Sequence, residues 1–429
     1  MNQGLASASL RPGDGGSKSD SAADPSCHST EGHLGCGRVI RRDDRITCRT
    51  FQRRMAPLVI HCQCGKTISV AERHRGRTIK CGQCGRVIRT SRFDLRLWVT
   101  LLAWAYLGAV ALAAIILWGF GDRWGPATAL LFAGRWVLLL PLAVLVPAAL
   151  LTRRLLLAPL ALGGLIALVP VGGFRFGLLR VFPHPAGAHL RVVTFNTDGG
   201  AALATRLPGL LEQWQADVVG FQECGSEMQE AISGLKDWHH HFVRQLCLLS
   251  RYPISDSAVM DRSALADVEQ SSAGIGGSGD VVRYTLETPS GPVNVTNLHL
   301  ETPRKGLEGA LSTGFSTARL AGNTHLRTIE SGLARRWVNA GTHPAIVLGD
   351  FNTPVESRIF QQSWGDLTDA FSRVGFGYGM TKNNGWIRVR IDHVLAGSGW
   401  YPDRATVGRD LGSDHLPLIV DLTLAPPQP

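Results

Sequence analysis

The stretch Ala345-Ile-Val-Leu-Gly-Asp-Phe-Asn352 places a carboxylate and a carboxamide two residues apart, at the end of an apolar run. A short apolar run bounded by turn residues is typical of a buried strand. Because side chains two apart on a strand point to the same side, we expect Asp350 and Asn352 to face one site. Together these groups can hold a hard cation, a phosphate oxygen or an attacking water.

Further polar side chains lie at or beside the ends of other predicted strands. These residues are Asn196, Glu223, His299, Asp392, Asp414 and His415. Taken singly, each has an ordinary structural explanation as a turn former, a helix cap or a satisfied core histidine. Their repetition at the ends of six strands favours one shared catalytic site instead.

The residues occur in short motifs that follow one another along the chain. The motifs are Thr194-Phe-Asn196, Gln222-Glu223, Leu249-Ser-Arg-Tyr-Pro-Ile254, Leu298-His299-Leu300, Gly349-Asp350-Phe-Asn352, Ile391-Asp392-His393-Val394 and Gly412-Ser-Asp414-His415-Leu-Pro417. In this order they resemble the endonuclease/exonuclease/phosphatase superfamily, which includes deoxyribonuclease I, exonuclease III, inositol polyphosphate 5-phosphatases and neutral sphingomyelinases. The resemblance covers residues 188–425.

The resemblance implies an α/β fold, a four-layer sandwich of two sheets with the site at one end. It also implies hydrolysis of a phosphate ester by in-line attack of water, with Mg²⁺ or Mn²⁺ as the cofactor. In the metal shell, Glu223 is the principal ligand, Asn196 lies beside it and Asp414 completes the set.

The remaining site residues take the hydrolytic roles that the resemblance implies. Asp350 positions or deprotonates the water, Asn352 holds the phosphate, and His299 donates to a non-bridging oxygen. Asp392 pairs with His415, fixes its tautomer and directs it to the scissile phosphate or its water. The sequence leaves open whether Asp350 or His415 is the base, because such a carboxylate–imidazole pair titrates as a unit.

Four cysteines form two close pairs that are each followed by glycine, namely Cys62 with Cys64 and Cys81 with Cys84. Such knuckles predict a zinc ribbon over residues 58–90, with Zn²⁺ bound by four thiolates. Disulfides or free thiols are the alternatives, and the first pair departs from the usual Cys-x-x-Cys. Zinc is favoured because a segment of this size with little core needs a metal to fold. The sequence does not indicate the ribbon's partner.

Another two cysteines, Cys224 and Cys247, lie in the predicted catalytic domain. They would pair if the domain lies outside the cell. We favour buried free thiols, because Cys224 directly follows Glu223 and cysteine is often buried.

An apolar block over residues 96–175 predicts an all-α membrane segment of three helices, about 97–120, 130–151 and 155–174. The first and third are long enough to cross the ~30 Å hydrocarbon layer. The second is short unless it extends back past Arg135.

The flanking basic residues predict the orientation of these helices. One side carries Lys80, Arg86, Arg89, Arg92, Arg96, Arg153 and Arg154, and the other side carries Arg123, Arg135, Arg175 and Arg180. This places the ribbon in the cytoplasm and, after three crossings, the catalytic domain outside it. If the second helix does not cross, the catalytic domain is cytoplasmic. The expected location is the cytoplasmic membrane of a bacterium.

The formal charge of +10 is concentrated in the first hundred residues and beside the apolar block. It therefore indicates membrane topology more than a DNA-binding face. Residues 1–57 have almost no periodic apolar pattern and are expected to be disordered. A further expectation is that Met55 is the true start, because the sequence becomes orderly directly after it.

The substrate is narrowed only to a phosphate ester of a nucleic acid or of a lipid head group. The loop over residues 256–280 is acidic, which would repel a nucleic-acid strand. The membrane segment would hold the site close to lipid head groups. The alternative from another class is a non-catalytic sensor that signals through the membrane to the ribbon, and the complete set of catalytic residues argues against it.

Overall fold

The computed structural model describes residues 58–71, 74, 76–90, 94–182, 186–266, 268, 279–312, 317–385 and 387–426. The expected tail over 1–57, including Met55, and most of the acidic part of the 256–280 loop lie outside these residues. The chain divides into two compact units, Met1–Phe93 and Asp94–Pro429. The apolar helices and the α/β elements, expected as separate domains, therefore belong to one unit.

The first unit contains two short antiparallel hairpins with a cysteine pair in each turn. The strands are β1 (Leu58–His61), β2 (Thr67–Val70), β3 (Thr78–Lys80) and β4 (Val87–Arg89). Gly65 and Gly85 follow the cysteine pairs with φ of 87° and 71°. Glycine adopts this left-handed conformation without a steric penalty, which allows each turn to close around its sulfurs.

The second unit begins with apolar helices. They are α1 (Leu95–Ile115), α2 (Gly125–Phe132), α3 (Leu140–Thr152) and α4 (Leu157–Ile166). The side chain of Asp94 caps α1 by accepting hydrogen bonds from the backbone N–H groups of Arg96 and Leu97. Short 3₁₀ and π turns extend α1, α3 and α4.

With those turns included, three segments among the described residues are long and apolar enough to span a membrane, at Leu95–Arg123, Arg135–Thr152 and Arg154–Val171. The second segment differs from the expected 130–151. The chain leaves helical geometry at Ala133 and Gly134, so α2 is separate. The third ends at Val171, three residues before the expected Phe174.

The α/β part consists of two six-stranded sheets. The first has the order β19-β20-β6-β7-β9-β8, with β6 (Ala188–Gly199), β7 (Val218–Cys224), β8 (His239–Val243), β9 (Leu246–Ser250), β19 (Trp400–Val407) and β20 (Leu418–Leu424). The second has the order β10-β11-β12-β13-β18-β14, with β10 (Ile254–Val259), β11 (Asp280–Thr288), β12 (Gly291–His299), β13 (Ala345–Asp350), β14 (Thr368–Asp369) and β18 (Asp392–Ala396). Pro253 ends the run from β9, and the chain continues in the other sheet.

Smaller elements complete this unit. The helices are α5 (Ala201–Ala204), α6 (Leu207–Trp214), α7 (Ser226–Ser233), α8 (Arg304–Ser312), α9 (Thr317–Asn339), α10 (Arg358–Trp364) and α11 (Ala370–Val374). The short strands are β5 (Arg175–Phe176), β15 (Phe376–Gly377), β16 (Lys382–Asn384) and β17 (Ile387–Val389).

Alternation along the strands builds the layers. On β6, Val192 belongs to the cluster between the sheets, whereas Val193 packs with α6 and α7. On β13, Ile346 faces the same inner cluster, and Val347 packs on the other outer face with α9 and α10. Because successive side chains point to opposite faces of a strand, they fill one core between the sheets and one on the outer face of each sheet. The prediction of an α/β fold is confirmed.

Pairing of the strands brings the motif residues to one edge. In the parallel β12–β13 pair, His299 lies opposite Asp350, and in the antiparallel β13–β18 pair Asp350 lies opposite Asp392. In the other sheet, β6 and β7 are parallel, with Asn196 opposite Gln222. The ends of these strands form the edge at which the site is built.

The ends of the apolar helices pack directly on the α/β part. Asp122, only 3% exposed, accepts a hydrogen bond of 3.3 Å from Arg327 and also contacts the Ser357 hydroxyl. Gly121 has φ 48°, and a Cβ there would lie 2.9 Å from the backbone nitrogen of Arg358. The contact therefore requires glycine at this position.

Cys224 and Cys247 form a disulfide with a Cα–Cα distance of 6.1 Å. The expectation of buried free thiols was wrong. The two cysteines meet because β7 and β9 are neighbours, with Phe221 opposite Cys247. That neighbourhood is a property of the sheet order, which the separation of the two cysteines in the sequence does not indicate.

Candidate active site

The backbone is unusual at the strand ends that carry the motif residues. Glu223 and Asn352 have φ of 50° and 51°, in a region that non-glycine residues seldom occupy. At Gly349, φ is 143° and a Cβ would lie 1.9 Å from the carbonyl oxygen of Leu298. Strained backbone of this kind is concentrated at functional sites, where the surrounding fold holds it in place.

Asn196, Glu223 and Asp350 meet across the two sheets. The Asn196 amide donates hydrogen bonds to Glu223 Oε1 at 2.9 Å and to Asp350 Oδ2 at 3.1 Å. The Glu223 side chain is 36% exposed, whereas that of Asp350 is almost fully buried. The amide thus links an accessible carboxylate to a buried one.

His299 lies over the same pair of carboxylates. Its Nε2 is 3.8 Å from Glu223 Oε1 and 3.7 Å from Asp350 Oδ2. These distances are too long for hydrogen bonds. The imidazole is close enough to share a ligand with both carboxylates.

His415 and Asp392 form a buried pair. His415 Nδ1 lies 2.8 Å from Asp392 Oδ2, and its Nε2 lies 3.6 Å from Asp350 Oδ2. Burial alone would lower the pKa of His415, but the charges of Asp392 and Asp350 outweigh it and raise that pKa to about 9. Burial likewise opposes ionisation of Asp392, and His415 still holds the pKa of Asp392 below its usual range.

Asp350 is the opposite case among the carboxylates. Burial, followed by the nearby charge of Asp392, raises the pKa of Asp350. The two histidines His415 and His299 act against this rise without cancelling it. The site therefore contains a carboxylate of raised basicity beside one held firmly ionised.

Lys382 is a site residue that sequence reasoning missed. Its ammonium group donates to Asp414 and lies 3.1 Å from His415 Nε2. It belongs to the short β16–β17 hairpin, and Lys382 also forms a backbone bridge with His415. The pattern Lys-Asn-Asn-Gly indicates a turn but no catalytic motif, so the sequence contained no signal for this contact.

Asn352 is fixed on both sides. Its backbone N–H donates to Asp350 Oδ1 at 2.9 Å, and its side-chain amide donates to the Leu300 carbonyl at 2.8 Å. From behind, Arg327 donates to the Asn352 carbonyl at 3.0 Å. A carboxamide has two donor hydrogens, so one remains for a phosphate oxygen.

His393, adjacent to Asp392 in its motif, is a structural residue. Its ring lies fully buried between Asp369 Oδ2 at 3.0 Å and the Thr353 carbonyl at 2.9 Å. It lies on the opposite face of β18 from Asp392, as alternation requires.

A divalent cation fits the oxygen-rich part of the site. One ligand atom each of Asp350, Asp392 and His415 lie within 4.8 Å of one another. Asp392 Oδ1 is buried and has no hydrogen-bond partner among the described residues. A buried carboxylate oxygen without a donor favours a bound cation.

The residues expected to bind the metal are placed differently. Asn196 and Glu223 adjoin the cluster, whereas Asp414 turns to Lys382 and lies 3.8 Å from His415. The ammonium group of Lys382 thus competes with a cation for Asp414.

The thiols of the first unit form a second cluster of ligands. Cys62 Sγ lies 3.6 Å from Cys84 Sγ, and Cys64 Sγ lies 3.7 Å from Cys81 Sγ. Zinc–sulfur bonds of about 2.3 Å in a tetrahedron put sulfurs roughly 3.8 Å apart, so the geometry fits zinc. Backbone N–H groups of Cys84 and Gln83 lower the pKa of Cys81 to about 6. Against a backbone hydrogen bond from Lys66, the neighbouring thiol of Cys62 raises the pKa of Cys64 to about 11.

Solved structures from several organisms are similar to this chain. An endonuclease/exonuclease/phosphatase from Beutenbergia cavernae is 17% identical with a TM-score of 0.41, over 55% of this chain and 72% of that one. D. rerio TDP2 complexed with a single-strand DNA product is 14% identical with a TM-score of 0.43, over 55% and 99%. A mannosyl-6-phosphatase from Bacteroides thetaiotaomicron is 15% identical with a TM-score of 0.38, over 55% and 99%. A search of curated proteins finds no match.

The model of the Endonuclease/Exonuclease/phosphatase family matches residues 193–415. This range is more than half of the 429 residues and extends from β6 to His415. It includes each of the motif residues that converge at the strand ends. The family prediction is confirmed, and the chain belongs to the endonuclease/exonuclease/phosphatase family.

Proposed function

We propose that this protein is a membrane-anchored, divalent-metal-dependent hydrolase of phosphate esters. The observation that carries the proposal is the convergence of Asn196, Glu223, His299, Asp350 and His415 at one edge, with Asp392 behind His415. Such a set of carboxylates, amide and imidazoles suits phosphoryl transfer to water.

Glu223 and the unpartnered Asp392 Oδ1 would hold Mg²⁺ or Mn²⁺. Asn196 would join them through its Oδ1 once its amide, which here donates to Glu223 and Asp350, turns over. The bound ion supplies Lewis-acid stabilisation of the negative charge on the phosphate. The unpartnered Asp392 Oδ1 and the accessible Glu223 carboxylate support this assignment. Asp414 remains a candidate ligand, provided that Lys382 is displaced.

The protein's own groups orient the water and neutralise the phosphate. Asp350, held by Asn196 and facing His299 and His415, orients the attacking water and accepts a proton from it. His299 and Asn352 donate to non-bridging oxygens. His415, held by Asp392, presents Nε2 to the scissile phosphate as a cationic donor, and Lys382 adds a second positive charge beside it.

Two observations support an extracytoplasmic catalytic domain. Three segments between the amino-terminal ribbon and the α/β part are long and apolar enough to cross a membrane, and three crossings would put the two parts on opposite sides. The α/β part contains the Cys224–Cys247 disulfide, whereas the four ribbon cysteines are free thiols. Disulfides persist in oxidising compartments and thiols in the cytoplasm, so the two parts fit opposite sides of the membrane. The ribbon would then hold Zn²⁺ on the cytoplasmic side.

The substrate is a phosphate ester of either a nucleic acid or a lipid head group. The site belongs to the same compact unit as the three apolar segments. This arrangement would keep the site near the membrane surface and favours the lipid class.

The test uses the full-length chain in detergent, because the α/β part shares buried contacts with the apolar helices. Mg²⁺-dependent hydrolysis is measured on plasmid DNA, single-stranded RNA, phospholipids, sphingomyelin and inositol phosphates. Asp350→Asn and His415→Ala are each expected to lower kcat by a factor on the order of 10² to 10⁴.

Exposed residues provide matched controls. Asp237→Asn and His325→Ala make the same chemical changes at solvent-exposed positions and should retain wild-type rates. Hydrolysis of one class that survives in both site variants, or no hydrolysis of any class by the folded metal-loaded protein, would contradict the proposal.

A further inference from the structure

A cleft lies where the ends of the apolar helices meet the α/β part. Its walls include Arg135, Trp136, Glu356, Tyr378, Arg388 and Arg390. Arg135 begins the second apolar segment, and the lining residue Gly172 directly follows the third. In a membrane, the cleft would therefore lie at the level of the lipid head groups.

The charge of this cleft is predominantly positive. Three guanidinium groups, of Arg135, Arg388 and Arg390, line it against the single carboxylate of Glu356. Arg135 Nη1 lies 3.2 Å from Glu356 Oε2, so that carboxylate is already engaged. Below the cleft, Arg390 Nη1 is 3.8 Å from Asp369 Oδ1, beyond hydrogen-bonding distance. Glu356 and Asp369 together leave one of the three guanidinium charges unbalanced.

Buried guanidinium atoms here lack hydrogen-bond acceptors. Arg390 is only 5% exposed, and its Nη1 has no hydrogen-bond partner among the described residues. Arg135 is 9% exposed, and its Nη1 contacts Glu356 outside hydrogen-bond geometry. Unsatisfied charged donors are costly to bury. Both side chains line the cleft, so an anion there would supply the missing acceptors.

The backbone of the cleft leaves room beside the carboxylate. Gly173 has φ 78°, and a Cβ there would lie 3.1 Å from Glu356 Oε1. The cleft measures about 360 Å³ out to its open mouth. Its enclosed part has room for about one water molecule. An anion would therefore bind at the mouth, beside the exposed Arg388, and reach the buried Arg135 and Arg390 through one of its oxygen atoms or through a bridging water.

We propose that this cleft is a binding site for a phosphate-type anion, held by Arg135, Arg388 and Arg390. The guanidinium group is a planar donor that can give two parallel hydrogen bonds to the oxygens of one phosphate. Trp136 and Tyr378 have the amphipathic rings that are enriched at membrane interfaces. The anion is the phosphate of an anionic lipid head group or a free phosphate, and the site is separate from the catalytic cluster.

The test uses full-length protein in a phosphate-free maltoside detergent with a chelator, so that no metal-bound phosphate enters the active site. In one arm, inorganic phosphate is titrated against chloride of equal ionic strength, and the thermal unfolding midpoint is recorded. In the other arm, the protein is compared in nanodiscs of phosphatidylglycerol and of phosphatidylcholine.

Arg388→Gln and Arg390→Gln should weaken anion binding on the order of tenfold or more, since each removes a charge-assisted hydrogen bond. Arg388 is exposed, so its substitution tests the site even if Arg390→Gln does not fold. Arg404→Gln, at an exposed position on β19, and His415→Ala, in the active site, should bind as the wild type does.

A response to phosphatidylglycerol alone assigns the site to a lipid, and a response to inorganic phosphate alone assigns it to a free anion. Either supports the proposal when the two cleft variants lose it. Absence of both responses in the wild type, retention of binding in Arg388→Gln, or loss of binding in His415→Ala would overturn it.

Discussion

Arg390 and Asp392 lie two residues apart, and each has a buried polar atom that lacks a partner among the described residues. Around Asp392 the excess charge is negative, with Glu223 and Asp350 nearby. Around Arg390 it is positive, because Arg390, Arg135 and Arg388 outnumber the acids Glu356 and Asp369. The same stretch of chain therefore borders a site that favours a cation and a cleft that favours an anion. The sign of the unbalanced buried charge indicates the ligand in each case.

The largest change is expected in kcat when the carboxylate of Asp392 is neutralised. Asp392→Asn removes the carboxylate that orients His415 at 2.8 Å and favours its cationic form. We expect kcat to fall by a factor on the order of 10³, with a much smaller change in KM, by analogy with other carboxylate–imidazole pairs. Steady-state kinetics with the hydrolysed substrate class measure this. A KM effect alone would assign Asp392 to substrate binding.

The next prediction concerns the contact between the apolar helices and the site. Arg327 is buried between Asp122 and the Asn352 carbonyl. Arg327→Met leaves Asp122 as a buried unpaired charge, and we expect a loss of about 3–5 kcal/mol in the free energy of unfolding. The double variant Arg327→Met with Asp122→Asn should recover part of the loss.

Chemical denaturation in detergent measures both variants. If the double variant is no more stable than Arg327→Met, the charge of Asp122 is not what Arg327 balances. Arg319→Met, at an exposed position on α9, provides the control.

Beside Arg390, the carboxylate of Asp369 should make the stability of the fold depend on pH. Burial opposes ionisation of Asp369, but Arg390 and His393 hold the pKa of Asp369 well below its usual range. Because the folded-state pKa is depressed, its stabilisation is complete above the unfolded value of about 3.9 and is lost as the pH falls below it. Unfolding midpoints measured from about pH 5 down to about pH 2 should show a steeper acid loss in the wild type than in Asp369→Asn. Equal slopes would exclude this contribution.

The smallest change is expected in the affinity of the cleft for a phosphate-type anion. Glu356→Gln removes the carboxylate that competes for Arg135. Affinity for the phosphate-type anion should rise several-fold, because the cleft gains one unit of net positive charge. The titration with inorganic phosphate measures it. An unchanged or weaker affinity would show that Glu356 does not compete with the ligand.

Much of the catalytic site was predictable because strand-end motifs are local in sequence. Asp350 and Asn352 follow one apolar run, and a parallel neighbour places His299 opposite Asp350. Lys382 was missed because its role depends on a hairpin that folds back onto His415. The Cys224–Cys247 disulfide was misjudged because it depends on β7 and β9 being neighbours, which is a long-range property.

The contact between the apolar helices and the α/β part was also not predictable from the sequence. Asp122 follows an apolar span, where an acid is typical of a helix end at the interface. Its buried pairing with Arg327, 205 residues away, depends on tertiary packing. The same holds for Arg135, whose side chain meets Glu356 only in the folded unit.

Hydrolysis in water enriched in oxygen-18 shows whether a water oriented by Asp350 attacks phosphorus. The full-length protein is incubated with Mg²⁺ and its substrate, and the products are analysed by mass spectrometry beside Asp350→Asn and Asp237→Asn. We expect one labelled oxygen to enter the phosphorus-containing product of the wild type and Asp237→Asn, and label to be nearly absent with Asp350→Asn. Label in the alcohol product instead, or equal labelling by Asp350→Asn, would contradict attack of an Asp350-oriented water at phosphorus.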